Sequence, residues 1–225
     1  MPEPARPTVD RTIDRTTPEP ARSLRGLVPF EIVAVLLLAA VRLPDAIPVA
    51  LPLLALASCS RWARGLDWGA LLRGDRWITG VAAAAGLAAL ATAVLAGAPV
   101  IEAITGRAVQ WSAFPVVRGN ATQLFVVALV VVTTTVATEL AMRGWLVERM
   151  LELSPGPPIL PVLVGALAEA LITPGSAAAR LGTGAFGAGL GWIYVAGGRT
   201  LVGPLAARLT FALGAVALEA LQLIG

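Results

Sequence analysis

Apolar residues fall into seven runs along the chain, at about 27–41, 46–60, 77–98, 122–141, 158–173, 181–197 and 200–223, parted by short stretches rich in Arg, Pro or Gly. A helix crossing the hydrocarbon core needs about 20 such residues at 1.5 Å each. The pattern therefore predicts an all-α fold, a polytopic transmembrane helix bundle of about seven spans (six to eight). The second and fifth runs are short and contain Pro48 and Pro52, and Pro158 and Pro161. They are expected to be kinked or partly interfacial.

Residues 1–25 are polar and rich in Pro, Thr and Arg without apolar periodicity, which predicts a disordered tail. The tail is too long and too acidic for a signal-peptide leader, and no small-residue cleavage site follows the first apolar run. Residues 26–225 form the expected transmembrane domain. With the N-terminus inside, twelve arginines fall in cytoplasmic segments and four outside: Arg42, Arg107, Arg118 and Arg180. The positive-inside rule thus puts the N-terminus and its tail in the cytoplasm. Residues 61–77 carry Trp62, Trp68 and Trp77 among four arginines, the composition of a short interfacial segment or of an ordinary cytoplasmic loop.

Composition sharpens this picture. Of 225 residues, 57 % are hydrophobic and 14 % charged, against about 45–50 % and about 25 % in soluble domains. Soluble, disordered and disulfide-scaffold classes are excluded. The chain has no histidine, which removes His-ligated zinc, Ser-His triads and imidazole proton relays. A single cysteine, Cys59, makes neither a disulfide nor a thiolate metal site. All 17 basic residues are arginine, the mark of a GC-rich bacterial genome, which implies a multi-pass protein of the inner (plasma) membrane. The net charge of +3 does not imply nucleic-acid binding, because the arginines border apolar spans.

Charges inside spans are informative, since an Asp or Arg at a helix centre costs roughly 2.5–3.5 kcal/mol on insertion scales. Glu31, Glu169, Arg208 and Glu219 lie within spans, and Glu139 and Arg143 sit at the cytoplasmic end of the fourth. Glu139 and Arg143 are i,i+4, an orientation that favours a pair. Counted from the cytoplasmic edge, Glu139, Arg208 and Glu169 lie ~6, ~12 and ~16 Å deep. These four are expected to share a polar site in the bundle. Glu31 and Glu219 are expected to snorkel or to be structurally paired, with Glu219 too far along its helix to partner Arg208. Gly182, Gly184 and Gly187 match a dinucleotide-binding spacing, but no strand precedes them, and Gly187 with Gly191 is read as a helix-packing pair. Asn120-Ala-Thr122 is a glycosylation sequon in form only.

The fourth span ends Thr138-Glu139-Leu140-Ala141-Met142-Arg143-Gly144. It resembles the first motif, E-E-x-x-x-R, of the CAAX-protease and bacteriocin-processing (CPBP) family of intramembrane metalloproteases. Gly165 through Glu169 is similar to the second motif, F-x-x-x-H. Arg208 through Ala212 is similar to the third, H-x-x-x-N/D. The resemblance covers a core at about 122–223. It implies a bundle whose site positions are Thr138, Glu139, Arg143, Glu169, Arg208 and Ala212. It equally implies that the site has lost its chemistry. The water-activating Glu is Thr138, the two metal-binding His are Glu169 and Arg208, and the Asn is Ala212. The family zinc site is not retained, so no cofactor is expected. An Arg208–Glu169 ion pair is expected where the family holds its metal, so that Arg208→Glu loses folded protein and Arg208→Glu with Glu169→Arg recovers it. The expected role is binding of a membrane protein, a peptide or a lipid by a catalytically inactive family member. The alternatives are a metal-free membrane hydrolase using Glu139 and Glu169, and a small transporter or membrane-complex subunit.

Overall fold

The computed structural model describes residues 25–41, 48–106, 114–154 and 156–224. The tail expected over 1–25 lies outside the described residues except for Arg25, as do Arg42 and Arg107. Among the described residues every regular element is helical, and the helices line up as seven rods. The first two are α1 (Val28–Ala40) and α2 (Ala50–Ala63). The third joins α3 (Arg76–Thr92), a π-turn (Ala93–Gly97) and α4 (Ala98–Thr105). The fourth joins α5 (Ala121–Ala141), a π-turn (Met142–Val147) and α6 (Glu148–Leu153). The last three are α7 (Ile159–Ile172), α8 (Ala177–Ala196) and α9 (Val202–Ala220).

Among the described residues three stretches are long and apolar enough to cross a bilayer: Arg76–Ile104, Ala121–Leu153 and Val202–Ala220. α1 and α7 are apolar but only 13 and 14 residues long, about 20 Å of helix each. Large apolar side chains such as Phe30, Leu95, Phe125 and Leu181 point outward, as a lipid-facing surface requires, because lipid tails are as apolar as leucine. The chain is a polytopic helical membrane protein.

Polar side chains set the helix starts. Asp75 accepts from the Trp77 N–H, Asn120 from the Gln123 N–H and Ser176 from the Ala179 N–H, each satisfying an N–H that has no partner in the first helical turn. The sequon asparagine is thus an N-cap. Pro161 sits in the first turn of α7, where no backbone donor is lost.

Both ends of the bundle are tied. At one end Arg61 donates to the Gly144 carbonyl (3.0 Å), the Leu201 N–H to Leu71 (2.7 Å) and the Tyr194 hydroxyl to Glu148 (2.8 Å). At the other, the Phe114 N–H donates to Glu219 at 2.9 Å. The first end is the arginine-rich one. α9 packs mainly on α3 and α5, α7 on α8, and α2 on α5. Close approach of α3 to α9 depends on Gly86, whose missing Cβ leaves room for the Ala207 carbonyl.

Candidate functional site

The site begins where α5 gives way to its π-turn. Such turns insert one extra residue and leave a carbonyl without its helical donor. Arg61 from the end of α2 supplies a donor to Gly144, while its second nitrogen donates to the Asp67 carbonyl at 2.6 Å. The Arg61 guanidinium also lies 4.4 Å over the Trp68 ring, a favourable cation–π distance. A Cβ on Gly144 would approach Trp68 to 2.8 Å, so glycine lets residues 61–72 cover this end of the site. Trp145, fully buried, donates to Ser60 at 2.8 Å. Ser60 in turn meets Glu31, which pairs with Arg64 at 2.8 Å. The segment 61–77 is therefore in part a packed cover. Arg61 is buried, while Trp62 and Trp77 point outward.

Above this turn four charges converge from three rods. Glu139 projects from α5, Arg143 from the π-turn, Glu169 from α7 and Arg208 from α9. Arg208 Nη1 donates to Glu139 Oε1 and to Glu169 Oε1, each at 2.8 Å. Arg143 Nη1 donates to Glu139 Oε1 at 3.2 Å and is in direct ionic contact with Glu169 Oε1. Both carboxylates are 0 % exposed, Arg143 1 % and the Arg208 side chain 16 %. The four formal charges cancel. The pair expected between Arg208 and Glu169 is thus present as half of a quartet, within the four-residue polar site that the sequence reading also expected. Glu139 shares the same nitrogen, and Arg143 bridges from the other side.

A further rod, α8, contributes backbone. Arg143 Nη2 donates to the Gly187 carbonyl on α8 at 2.6 Å. A Cβ at Gly187 would overlap Glu169 Oε2 and come within 3.3 Å of Arg143 Nη2. The sequence reading of Gly187 as a packing glycine missed this, because nothing local in the sequence links Gly187 to Arg143, 44 residues away. Gly191 does pack, against Val162 of α7.

The remaining site positions are apart from the quartet. Thr138 turns its hydroxyl to the Thr134 carbonyl at 2.8 Å. Ala212 lines an apolar cavity of about 150 Å³ with Phe114, Val131, Ala215 and Glu219 among others. Glu219, expected to snorkel or to be structurally paired, is 2 % exposed; it accepts from Phe114 and lies 3.7 Å from Arg118. It therefore locks the far end of α9 to the segment before α5. Glu31 is structurally paired.

The residues present do not fit a divalent metal. Among the described residues no three His, Cys, Asp or Glu side chains cluster, whereas a catalytic zinc takes three protein ligands and an open position. The two carboxylates that do meet direct their Oε1 atoms at guanidinium nitrogens. A dication between them would lie against two fixed positive charges.

No curated protein and no solved structure matches the chain. Residues 120–213, a little under half of the chain, match the family described as type II CAAX prenyl endopeptidase Rce1-like. That segment contains α5 to α8, most of α9 and all four charges of the quartet. The part of this membrane protein that builds the charged site is therefore similar to the Rce1-like family of CAAX prenyl endopeptidases.

Proposed function

We propose that this protein is a non-hydrolytic relative of the Rce1-like endopeptidases, acting by binding a membrane-embedded partner: a protein segment, a peptide or a lipid. The observation that carries this reading is the quartet. In a hydrolase of this kind a carboxylate must face a water or a leaving group. Here Glu139 and Glu169 each spend Oε1 on two guanidiniums, and neither side chain lines the apolar cavities. Thr138, at the position of the family's water-activating Glu, has a hydroxyl committed to its own helix. The same facts weigh against a metal-free mechanism using both glutamates, which needs two carboxyls in distinct environments. The arginine-only composition supports a GC-rich bacterial host, and the long apolar helices support its plasma membrane as the location.

The test is cleavage of prenylated CAAX peptides by the protein reconstituted in liposomes, run beside Glu139→Gln. The expected result is no product above the Glu139→Gln background. Mass spectrometry of the protein purified in mild detergent should show a stoichiometric partner or a bound lipid. Turnover that disappears on Glu139→Gln overturns the proposal.

A further inference from the structure

We infer that Arg208 is a built-in cation: its Nη1 fills the position between Glu139 Oε1 and Glu169 Oε1, which closes the native site to divalent metal, and its removal opens a site selective for small cations of the guanidinium class. Three observations carry this. First, Nη1 stands 2.8 Å from both oxygens, so both contacts run through one nitrogen. A single cation centre placed there would touch both carboxylates. Second, Glu139 Oε2 and Glu169 Oε2 are buried with no hydrogen-bond partner. The two carboxylates thus keep acceptor capacity on side chains that are 0 % exposed, and an unpaired buried acceptor of a charged group is costly. Third, the positions differ in access. Arg143 is sealed at 1 % exposure, with both terminal nitrogens engaged, whereas the Arg208 side chain is 16 % exposed. The Arg208 position is therefore the less enclosed of the two.

Truncating Arg208 leaves two carboxylates facing one guanidinium, a net charge of −1 around a cavity of side-chain size. A planar alkylguanidinium restores the lost N–H donors and the charge together. A dication restores charge but not shape, and it meets Arg143 across the cavity, so it binds less well. Urea matches the shape without the charge and restores neither pair.

The inference concerns the charge geometry and does not depend on whether the protein hydrolyses anything. Its test therefore uses metal content and melting, not turnover. Wild type, Arg208→Ala, Arg208→Lys and Arg208→Gln are purified in mild detergent. Elemental analysis of wild type should find no stoichiometric zinc, manganese or iron, and neither zinc nor a chelator should move its melting temperature. Arg208→Ala should melt lower by roughly 10 °C. Millimolar ethylguanidinium should restore more than half of that loss, zinc less, and urea none. Should Arg208→Ala fail to fold, the Lys and Gln variants decide, since Lys retains the cation and should melt well above Gln. Stoichiometric metal in wild type overturns the inference. So does equal rescue of Arg208→Ala by urea, or a Lys variant no more stable than the Gln variant.

Discussion

Replacing Glu169 by Gln keeps the size of the side chain and one acceptor oxygen but removes one of the two negative charges in the quartet. The cluster then carries a net +1 on Arg143 and Arg208, which are 1 % and 16 % exposed. Breaking a buried pair by neutralising one partner costs about 3–5 kcal/mol, because the surviving charge keeps its desolvation penalty. At about 2–4 °C per kcal/mol for a chain of this size, the melting temperature should fall by roughly 6–20 °C. The diagnostic variant is Glu169→Gln with Arg208→Gln, which returns the cluster to neutrality. Its melting temperature should lie above that of Glu169→Gln alone, with a coupling of about 1–3 kcal/mol. Melting is followed in detergent by intrinsic fluorescence from the six tryptophans. A charge swap, Arg208→Glu with Glu169→Arg, should not recover stability. An isolated pair would tolerate the exchange, but here Glu139 and Arg143 contact the same atoms. A silent Glu169→Gln, strictly additive double mutants, or full recovery by the swap would refute the quartet as an energetic unit.

Two further predictions follow from the surroundings of the quartet. Gly187→Ala forces a methyl group onto Glu169 Oε2 and should cost about 1–3 kcal/mol as an overpacked site; melting beside the harmless control Gly189→Ala, where a Cβ meets open space, checks this. Arg61→Ala removes two hydrogen bonds and the stacking on Trp68. At about 1.5–3 kcal/mol for each charged-donor bond, the cover should loosen, read as faster protease nicking between residues 61 and 75, while nicking elsewhere is unchanged.

What was legible in the sequence follows from how strongly each signal is local. The runs of apolar residues gave all seven rods, because in lipid a segment must satisfy its backbone internally and helix is the solution. The depth count put Arg208 at ~12 Å and Glu169 at ~16 Å, within one side chain's reach, and left Glu139 shallower at ~6 Å, because rise per residue is fixed. The tightness of the cluster was not legible, since it depends on Gly187 of another rod lending a carbonyl and leaving room. Nor was the π-turn, whose Gly144 carbonyl accepts from Arg61 across 83 residues of sequence. Glu219 was expected to snorkel or be structurally paired, since its partners, the Phe114 N–H and Arg118, come from a connection with no periodic signal.

A buried ion cluster is weak evidence for stability, because well-packed apolar residues of similar volume often do as well or better. Its presence needs another reason, and the membrane supplies one. Between helices in lipid there is little hydrophobic drive to choose one register over another, so polar contacts and close packing must choose. The quartet joins the α5 rod, α7 and α9, and through Gly187 it reaches α8. Sliding any of these rods by one turn, about 5.4 Å, would separate Oε1 from Nη1 and strand a charge. The apolar contacts between the rods involve small residues such as Gly191 and Ala166 and penalise such a slip far less. Replacing all four charged residues by Met should therefore leave the melting temperature within a few degrees of wild type while relaxing the register. Cysteine pairs placed across α5–α9 and α7–α9 should cross-link at one position in wild type and at several, one turn apart, in the quadruple variant. A quadruple variant that keeps the single wild-type cross-link would show that packing alone sets the register, and the quartet would then need a role in binding to account for it.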